Sequence, residues 1–475
     1  MPSPKIHQVA AKSETNEAVD AWGGGSPSAS DLVRVTEVTL SGALEQEEAV
    51  TSGATLSTDF SSPGIETRSI QFKTQLVGNV TGADADAKRN AVPAWDLFAK
   101  GAGWRRSSLL RCTGTFTGPF YIGERIAAAA WGTSPAAWGI AMSEGGSELY
   151  VAVVEGDISA GTTFYGEESG SQITSASVDA TGGVCYSPVS SVLLSVDLTA
   201  GGWSASAPAA GDVLRILRSG EQVGSCRVVT VADPLIVQLY YGSFIAGDVL
   251  ETAAGSQATV DTAASTFTQG GSLSIWSNRD GLARRLIGSR GDVTIAGEPG
   301  KIPAMSWQFD GGATAEVDAA LLSTTNLSNL AGPRWVSGRV HMGYYRDSAY
   351  FNTGIPLKRF EVRPGFTREA RTSPLSATGV DGYDLSGRNA QITFDVEQVG
   401  VIAFDWFGVR RAATAVRIGL GFGSDVGNRF GIAVPRGQVM EISDAESGAR
   451  ATHSITINAR RIREAGDDEI YIAKF

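Results

Sequence analysis

His7, His341 and His453 are the only imidazoles in a 475-residue chain, so neither a Ser/His/Asp relay nor a histidine metal cluster has obvious parts. His453, beside an alternating stretch over 454–459, reads as a strand-end residue. His341, shortly before Tyr344 and Tyr345, reads as a packing or interface residue, and His7 falls in a polar N-terminal stretch. The densest acidic group is Asp467-Asp468-Glu469. Paired carboxylates cleave glycosides when they face each other across a cleft, which consecutive residues of a hairpin do not, so a solvated turn is expected. Asp84 with Asp86, and Asp381 with Asp384, have the spacing of calcium ligands, but no terminal Glu completes a calcium loop, and both pairs read as loop carboxylates. The run Gly421-Phe-Gly423-Ser-Asp-Val-Gly427 has one residue too many for a dinucleotide fingerprint and opens no helix to receive a pyrophosphate, so a β-turn is expected. Cys112, Cys185 and Cys226 show no C-x-x-C spacing and are expected as reduced thiols. No catalytic, cofactor-binding or metal-ligating residue is assigned, and no cofactor or enzymatic activity is expected.

Composition narrows the class further. A formal charge of −11 argues against a protein that grips nucleic acid through its phosphates, because that affinity comes from clustered Lys and Arg. Fifty-eight glycines, with abundant Ser, Thr, Ala and Val, point to many short strands joined by turns, and so to an all-β fold. No run approaches the roughly 20 apolar residues that a membrane helix needs, and residues 1–30 lack the apolar core of a signal peptide. A soluble protein without an export signal or membrane insertion is expected.

Residues 272–311 carry the clearest patterning. Leu273 and Ile275 alternate with serines, Val293 and Ile295 flank Thr294, and Met305, Trp307 and Phe309 alternate with Ser306, Gln308 and Asp310. Period two puts one set on an apolar face and the other on a polar face. Asp280-Gly281, Gly288 to Gly291 and Gly297-Glu298-Pro299-Gly300 are expected as the turns of an antiparallel meander. One short helix is expected over 93–101, with Pro93 in its first turn, Gly101 at its end, and Trp95, Leu97 and Phe98 packing on the sheet. Further strands are expected over 33–38, 70–77, 392–396, 401–404, 415–420, 431–434, 439–442, 454–459 and 470–473. Residues 1–30, ending in GGGSPSAS, read as a flexible arm. Residues 113–266 contain repeated G-x-apolar-x-x-G units at Gly118, Gly156 and Gly242 and a duplicated AGDVL at 210–214 and 246–250, which predicts an inserted all-β subdomain. Residues 31–112 and 267–475 would then be two parts of one β domain, with a long loop over 334–386.

Strand, Asp-Gly turn, an R-x-x-G-x-x-G-x-V-x-I run, G-E-P-G and an alternating aromatic strand together resemble the tail tube (major tail) proteins of long-tailed bacteriophages or related gene-transfer particles. FKTQLVGNVTGADADAKRNAVPAWDLFAKGAGW over 72–104, GRNAQITFDV over 387–396, and the ending from Asp444 are similar to other segments of that family. The resemblance covers roughly the first quarter and last two-fifths of the chain. It implies a β-sandwich or partial-barrel tube fold that self-assembles into stacked homo-hexameric rings, a conduit for DNA ejection in the virion tail, assembled in the host cytoplasm. It also implies tape-measure, tail-terminator and distal tail proteins as partners, and DNA passing through the lumen without specific binding. An insertion that projects outward would favour a flexible, non-contractile, siphovirus-like tail. Trp95, Leu97, Phe98, Met305, Trp307 and Phe309 are the expected core and assembly residues. The alternative is a phage or bacterial surface β module that binds a host glycan or receptor through its loops.

Overall fold

The computed structural model describes the chain apart from residues 1–5, 15–18, 49–60, 128–136, 145, 156–157, 159–162, 190–192, 197, 200–201, 209–211, 231–234, 242–246, 262–265, 270, 325–326, 328–329, 337, 346–350, 353–355, 375–378, 399–403, 448–449 and 463–466. The fold is all-β with little helix. Alternation of apolar and polar residues dominates the sequence, and it suits pleated strands rather than helices.

The N-terminal segment supplies β1 (His7–Ser13), β2 (Leu32–Val33), β3 (Thr36–Glu48) and β4 (Ser61–Gln75), then the short helices α1 (Ala85–Asn90) and α2 (Asp96–Gly101). It continues with β5 (Trp104–Phe116), β6 (Arg125–Ala127), β7 (Trp138–Ala141), β8 (Glu148–Glu155), β9 (Phe164–Gly166) and β10 (Gln172–Pro188). A separate seven-stranded sheet follows, made of β11 (Leu193–Val196), β12 (Val213–Arg218), β13 (Glu221–Thr230), β14 (Leu235–Tyr241), β15 (Val249–Glu251), β16 (Gln257–Thr259) and β17 (Thr266–Gln269). The chain then forms β18 (Leu273–Arg279), β19 (Leu282–Gly297), β20 (Ala304–Ala313), β21 (Val317–Asp318), β22 (Arg339–Tyr344), β23 (Phe351–Asn352) and β24 (Leu357–Arg363). Next come β25 (Phe366–Thr372), β26 (Val380–Arg388), β27 (Gln391–Glu397), α3 (Trp406–Arg411), β28 (Ala415–Phe422), β29 (Phe430–Ser447), β30 (Arg450–Ala459) and β31 (Tyr471–Lys474).

Two runs of antiparallel strands share the main core. One is β2-β1-β18-β19-β20-β4-β3, and the other is β24-β27-β30-β29-β28-β22-β23. They join where Ile295 of β19 pairs with Val362 of β24. Phe72, Phe98, Trp307, Phe309, Phe360, Phe394, Phe422 and Ile457 all enter this core. Strands β5-β8-β7-β6-β9-β10 close into a six-stranded barrel with its own core around Phe120, Leu149 and Phe164. The far ends of β5 and β10 leave the barrel, and β10 pairs with β31 of the main sheet.

These pairings revise several expectations. Residues 113–188 are continuous with the main sheet through β5 and β10, so within 113–266 it is β11–β17 that form a separate sheet among the described residues. Within that sheet the strands that follow from the two AGDVL copies become neighbours: Ile216, two residues past the first copy, pairs with Leu250 of the second, and Leu214 and Leu250 are both buried. The units at Gly156 and Gly242 lie largely outside the described residues. The N-terminal arm is not free over 7–13, because β1 pairs with β18 along its whole length, from His7↔Arg279 to Ser13↔Leu273. The next residue, Glu14, is buried and accepts hydrogen bonds from Ser272 Oγ (2.5 Å), Ser274 Oγ (2.8 Å) and Gly288 N (2.8 Å). The 334–386 stretch contains β22 to β26. The expected strand over 401–404 lies mostly outside the described residues, and Phe404 lies in a loop before α3.

Three short helices are present among the described residues, where the sequence predicts one. Asp84 is the N-cap of α1, accepting from Ala87 N at 2.8 Å, and Asp86 pairs with Arg89, so these acids close a helix instead of lying in a loop. The far end of α1 is capped by the buried Lys474, whose ammonium donates to the Lys88, Arg89 and Ala91 carbonyls at 2.7, 2.9 and 2.7 Å. Burial holds its pKa down to about 8. In α2, Phe98 packs against Phe72, Trp307 and Phe309 with ring centroids 4.7, 5.7 and 5.8 Å apart.

The Asp280-Gly281 turn forms as expected, with both residues at positive φ (53° and 100°) between the paired Arg279 and Leu282, the geometry a two-residue hairpin needs. Gly288–Gly291 differs: it is a bulge inside β19, with only Gly288 at positive φ (59°). Gly291 is required for another reason, since a Cβ there would meet the Phe309 ring at 2.5 Å and the Gln308 carbonyl at 2.8 Å. Gly291→Ala is therefore expected to destabilise the protein by about 1–3 kcal/mol through overpacking, measured as a lower denaturation midpoint. An unchanged midpoint would contradict this packing.

Candidate functional site

Strands β3, β4, β20 and β19, the last four of the first run, present two unlike faces. On the inner face, Val293, Trp307 and Phe72 lie side by side across three strands, as do Ile295, Met305 and Thr74. Trp307 Nε1 donates to Thr74 Oγ1 at 2.8 Å, which satisfies the one polar atom of a buried indole. On the outer face the rungs are polar: Thr294, Ser306 and Lys73, then Asp292, Gln308, Gln71 and Thr39, then Arg290, Asp310, Ser69 and Ser41. Strict alternation makes this division, because each strand turns every second side chain to the same side.

The expected core residues all fall on the inner side. Trp95, Phe98, Met305, Trp307 and Phe309 are buried, and Leu97 is partly buried against the same core. Trp95 is fixed by Nε1 donating to the Val77 carbonyl at 2.9 Å and by the Tyr186 ring at 4.6 Å. Their burial assigns them to packing within the chain, so an assembly surface must be built from other residues.

The outer face opens on a cavity of about 500 Å³ lined by Glu37, Thr39, Gln71, Lys73, Asp292 and Gln308, among others. Two of its three cations are ion-paired: Lys73 pairs with Glu37, and Arg368 Nε lies 2.7 Å from Asp310 Oδ2, while the third, Arg363, lies at the cavity's edge. Burial raises the pKa of Asp292. Among the described strands, β3 pairs only with β4, so its other edge is open. An open edge thirteen residues long presents unpaired N–H and C=O groups, which are a template for another strand.

A second concentration of charge lies where the barrel meets β28. Ile122, on the loop before β6, sits on Gly419 and Gly421, where any Cβ would collide with it. Arg417, fully buried on β28, is ion-paired with the equally buried Glu168 and has Glu167 Oε2 at 3.9 Å. Arg125 Nη1 binds both oxygens of Glu167 at 3.1 and 3.2 Å and stacks 4.5 Å above Trp138. Glu124, also fully buried, accepts from Ser169 Oγ at 2.7 Å and Tyr121 N at 3.1 Å. Burial, reinforced by the Glu168 charge, pushes its pKa up to about 8. Glu124 stands at the end of the Gly118 unit, and that repeat was its only signal in the sequence. Nothing in the sequence pairs Glu168 with Arg417, 249 residues away.

The residues singled out for chemistry occupy separate settings. His341 is buried beside the Tyr121 ring with Nε2 3.3 Å from Glu144 Oε1, and burial holds its pKa down to about 4. His453 lies inside β30, with Nδ1 2.9 Å from Asp444 Oδ1. His7 Nε2 lies 2.7 Å from Ser277 Oγ. Asp467-Asp468-Glu469 is not a solvated turn. Arg388 Nη2 binds Asp467 at 3.0 Å and both Glu469 oxygens at 2.8 Å, while the fully buried Asp468 accepts from Ile462 N at 2.9 Å. The three cysteines are free and buried, which raises each thiol pKa to about 12.

Comparison of the whole chain with protein-family models and with curated proteins gives no match.

Proposed function

We propose that this protein is a structural subunit that assembles with copies of itself into stacked rings, the tube of a long-tailed phage or of a related particle. The observation that carries this reading is the two-faced sheet β3-β4-β20-β19, apolar inside and polar outside, ending in the open edge of β3. Pairing that edge with a neighbouring subunit would satisfy its backbone groups, and repetition around a closed ring would leave no free edge. The polar faces would then line a bore. Ion pairing of Lys73 and Arg368 on that face, in a chain of net charge −11, suits a conduit through which a polyanion slides without sticking. Tape-measure, terminator and distal tail proteins are the partners this role requires.

Electron microscopy of the purified full chain at increasing concentration tests the reading. Rings or tubes of uniform bore are the expected result. A protein that remains monomeric at every concentration and binds a host glycan instead would replace it with the surface-module alternative.

A further inference from the structure

Among the described strands, β25 and β26 pair only with each other, as a two-stranded sheet. Such a hairpin is marginally stable alone, so its position depends on what it lies against. It lies across the polar face of β19, β20 and β4. Arg368 reaches the middle of that face, its Nε 2.7 Å from Asp310 Oδ2 and its Nη1 donating to the Gln308 carbonyl at 3.2 Å. Phe366, at the start of β25, lines the same cavity as Asp292, and Tyr383 of β26 is buried. At the far end Gly379 sits against Ile65 of β4, leaving no room for a Cβ. At the near end the hairpin is tied down: Asn389 N donates to the Gly365 carbonyl at 3.0 Å, and Arg388 is held by Asp467 and Glu469. Gly365, at φ 66°, is the residue from which the hairpin departs.

We propose that β25–β26 is a strap, hinged at Gly365 and Arg388, that covers the polar face in the single subunit and is displaced when a second copy of this chain pairs with the open edge of β3. The second copy rests on the self-assembly reading above. The geometry favours it as the occupant because the strap reaches β4, the strand next to that edge, so a chain adding to β3 meets the strap's far end. The Arg368 contacts at the middle of the face are polar and can be exchanged for contacts to water or to a neighbour, Phe366, Val380 and Tyr383 are the apolar surface that displacement would uncover, and the anchor at Arg388 uses two carboxylates at once.

Hydrogen exchange and sedimentation on the full chain test this together. Arg368→Ala is expected to raise amide exchange in residues 366–388 about ten-fold or more, and to lower the concentration at which the protein assembles. The exchanged pair, Arg368→Asp with Asp310→Arg, is expected to return both towards wild type, which separates release of the strap from general loss of folding. Unchanged exchange in Arg368→Ala overturns the strap. Faster exchange with weaker assembly also overturns it, since the hairpin would then be a contact between subunits. Faster exchange in a protein that never assembles, wild type included, overturns the self-assembly reading and removes the second copy from the proposal.

Discussion

Arg417→Met is expected to lower the stability of the protein by about 3–5 kcal/mol, among the largest effects of any single substitution. The reason is what it leaves behind. Glu168 has no solvent-exposed side-chain surface and Arg417 is its buried cation, so removing the guanidinium strands a carboxylate away from water beside Glu124. Stranding a charge costs more than the intact pair contributes, because the pair's attraction is largely offset by the desolvation of both partners. The double variant Arg417→Met with Glu168→Leu is therefore expected to recover most of the loss. Denaturant midpoints for the two singles and the double decide it. A double variant no more stable than Arg417→Met would show that the site acts through shape, with Ile122 seated on Gly419 and Gly421, and not through charge.

The second expected result is a fall in stability with rising pH, traceable to Glu124. Its carboxyl titrates near 4.5 in an unfolded chain and near 8 in the fold, with burial the main cause and Glu168 the next. Between these values the native state holds a proton that the unfolded state has lost, so the contribution is full below about 4.5 and is lost as pH rises through about 8. The slope is at most about 1.4 kcal/mol per pH unit over that window. Glu124→Gln keeps a neutral side chain that can accept from Tyr121 N and meet the Ser169 hydroxyl. It is expected to flatten the profile between pH 5 and 8 and to exceed wild type in stability at pH 8. The groups facing Glu124 are Glu168, Arg417, Ser169 and the Tyr121 amide, and a profile equally steep in the variant would move the titration to one of the ionisable neighbours. A pH-dependent joint between barrel and main sheet bears on assembly as well as stability, since the barrel is fused to the main sheet through β5, β10 and β31.

Much of the candidate assembly sheet is legible in the sequence. Met305, Trp307 and Phe309 must share a face whatever their partners, because alternation is a property of one strand, and the structure buries all three. The polar rungs at Ser306, Gln308 and Asp310 follow from the same alternation. What covers them does not: β25–β26 comes from the stretch read as a long loop, and Arg368 is 58 residues from Asp310. The buried charges were less legible still. Asp467, Asp468 and Glu469 look like a solvated turn because local sequence offers them no cation, and Arg388 approaches from about 80 residues away. Glu14 looks like part of a polar arm because its donors are Ser272, Ser274 and Gly288, more than 250 residues distant.

By itself, then, the sequence determined the class of strand, the two-sidedness of the sheets, the Asp280-Gly281 turn and a helix near Phe98. Each depends on the steric and hydrophobic preferences of residues a few positions apart, and those act before any fold exists. The tertiary structure alone decided that β5 to β10 close into a barrel, that β1 is anchored, that β3 is left with an open edge among the described strands, and which carboxylates lie buried. A strand's neighbours and a buried charge's partner come from remote segments, and neither local pattern nor composition fixes which segments meet.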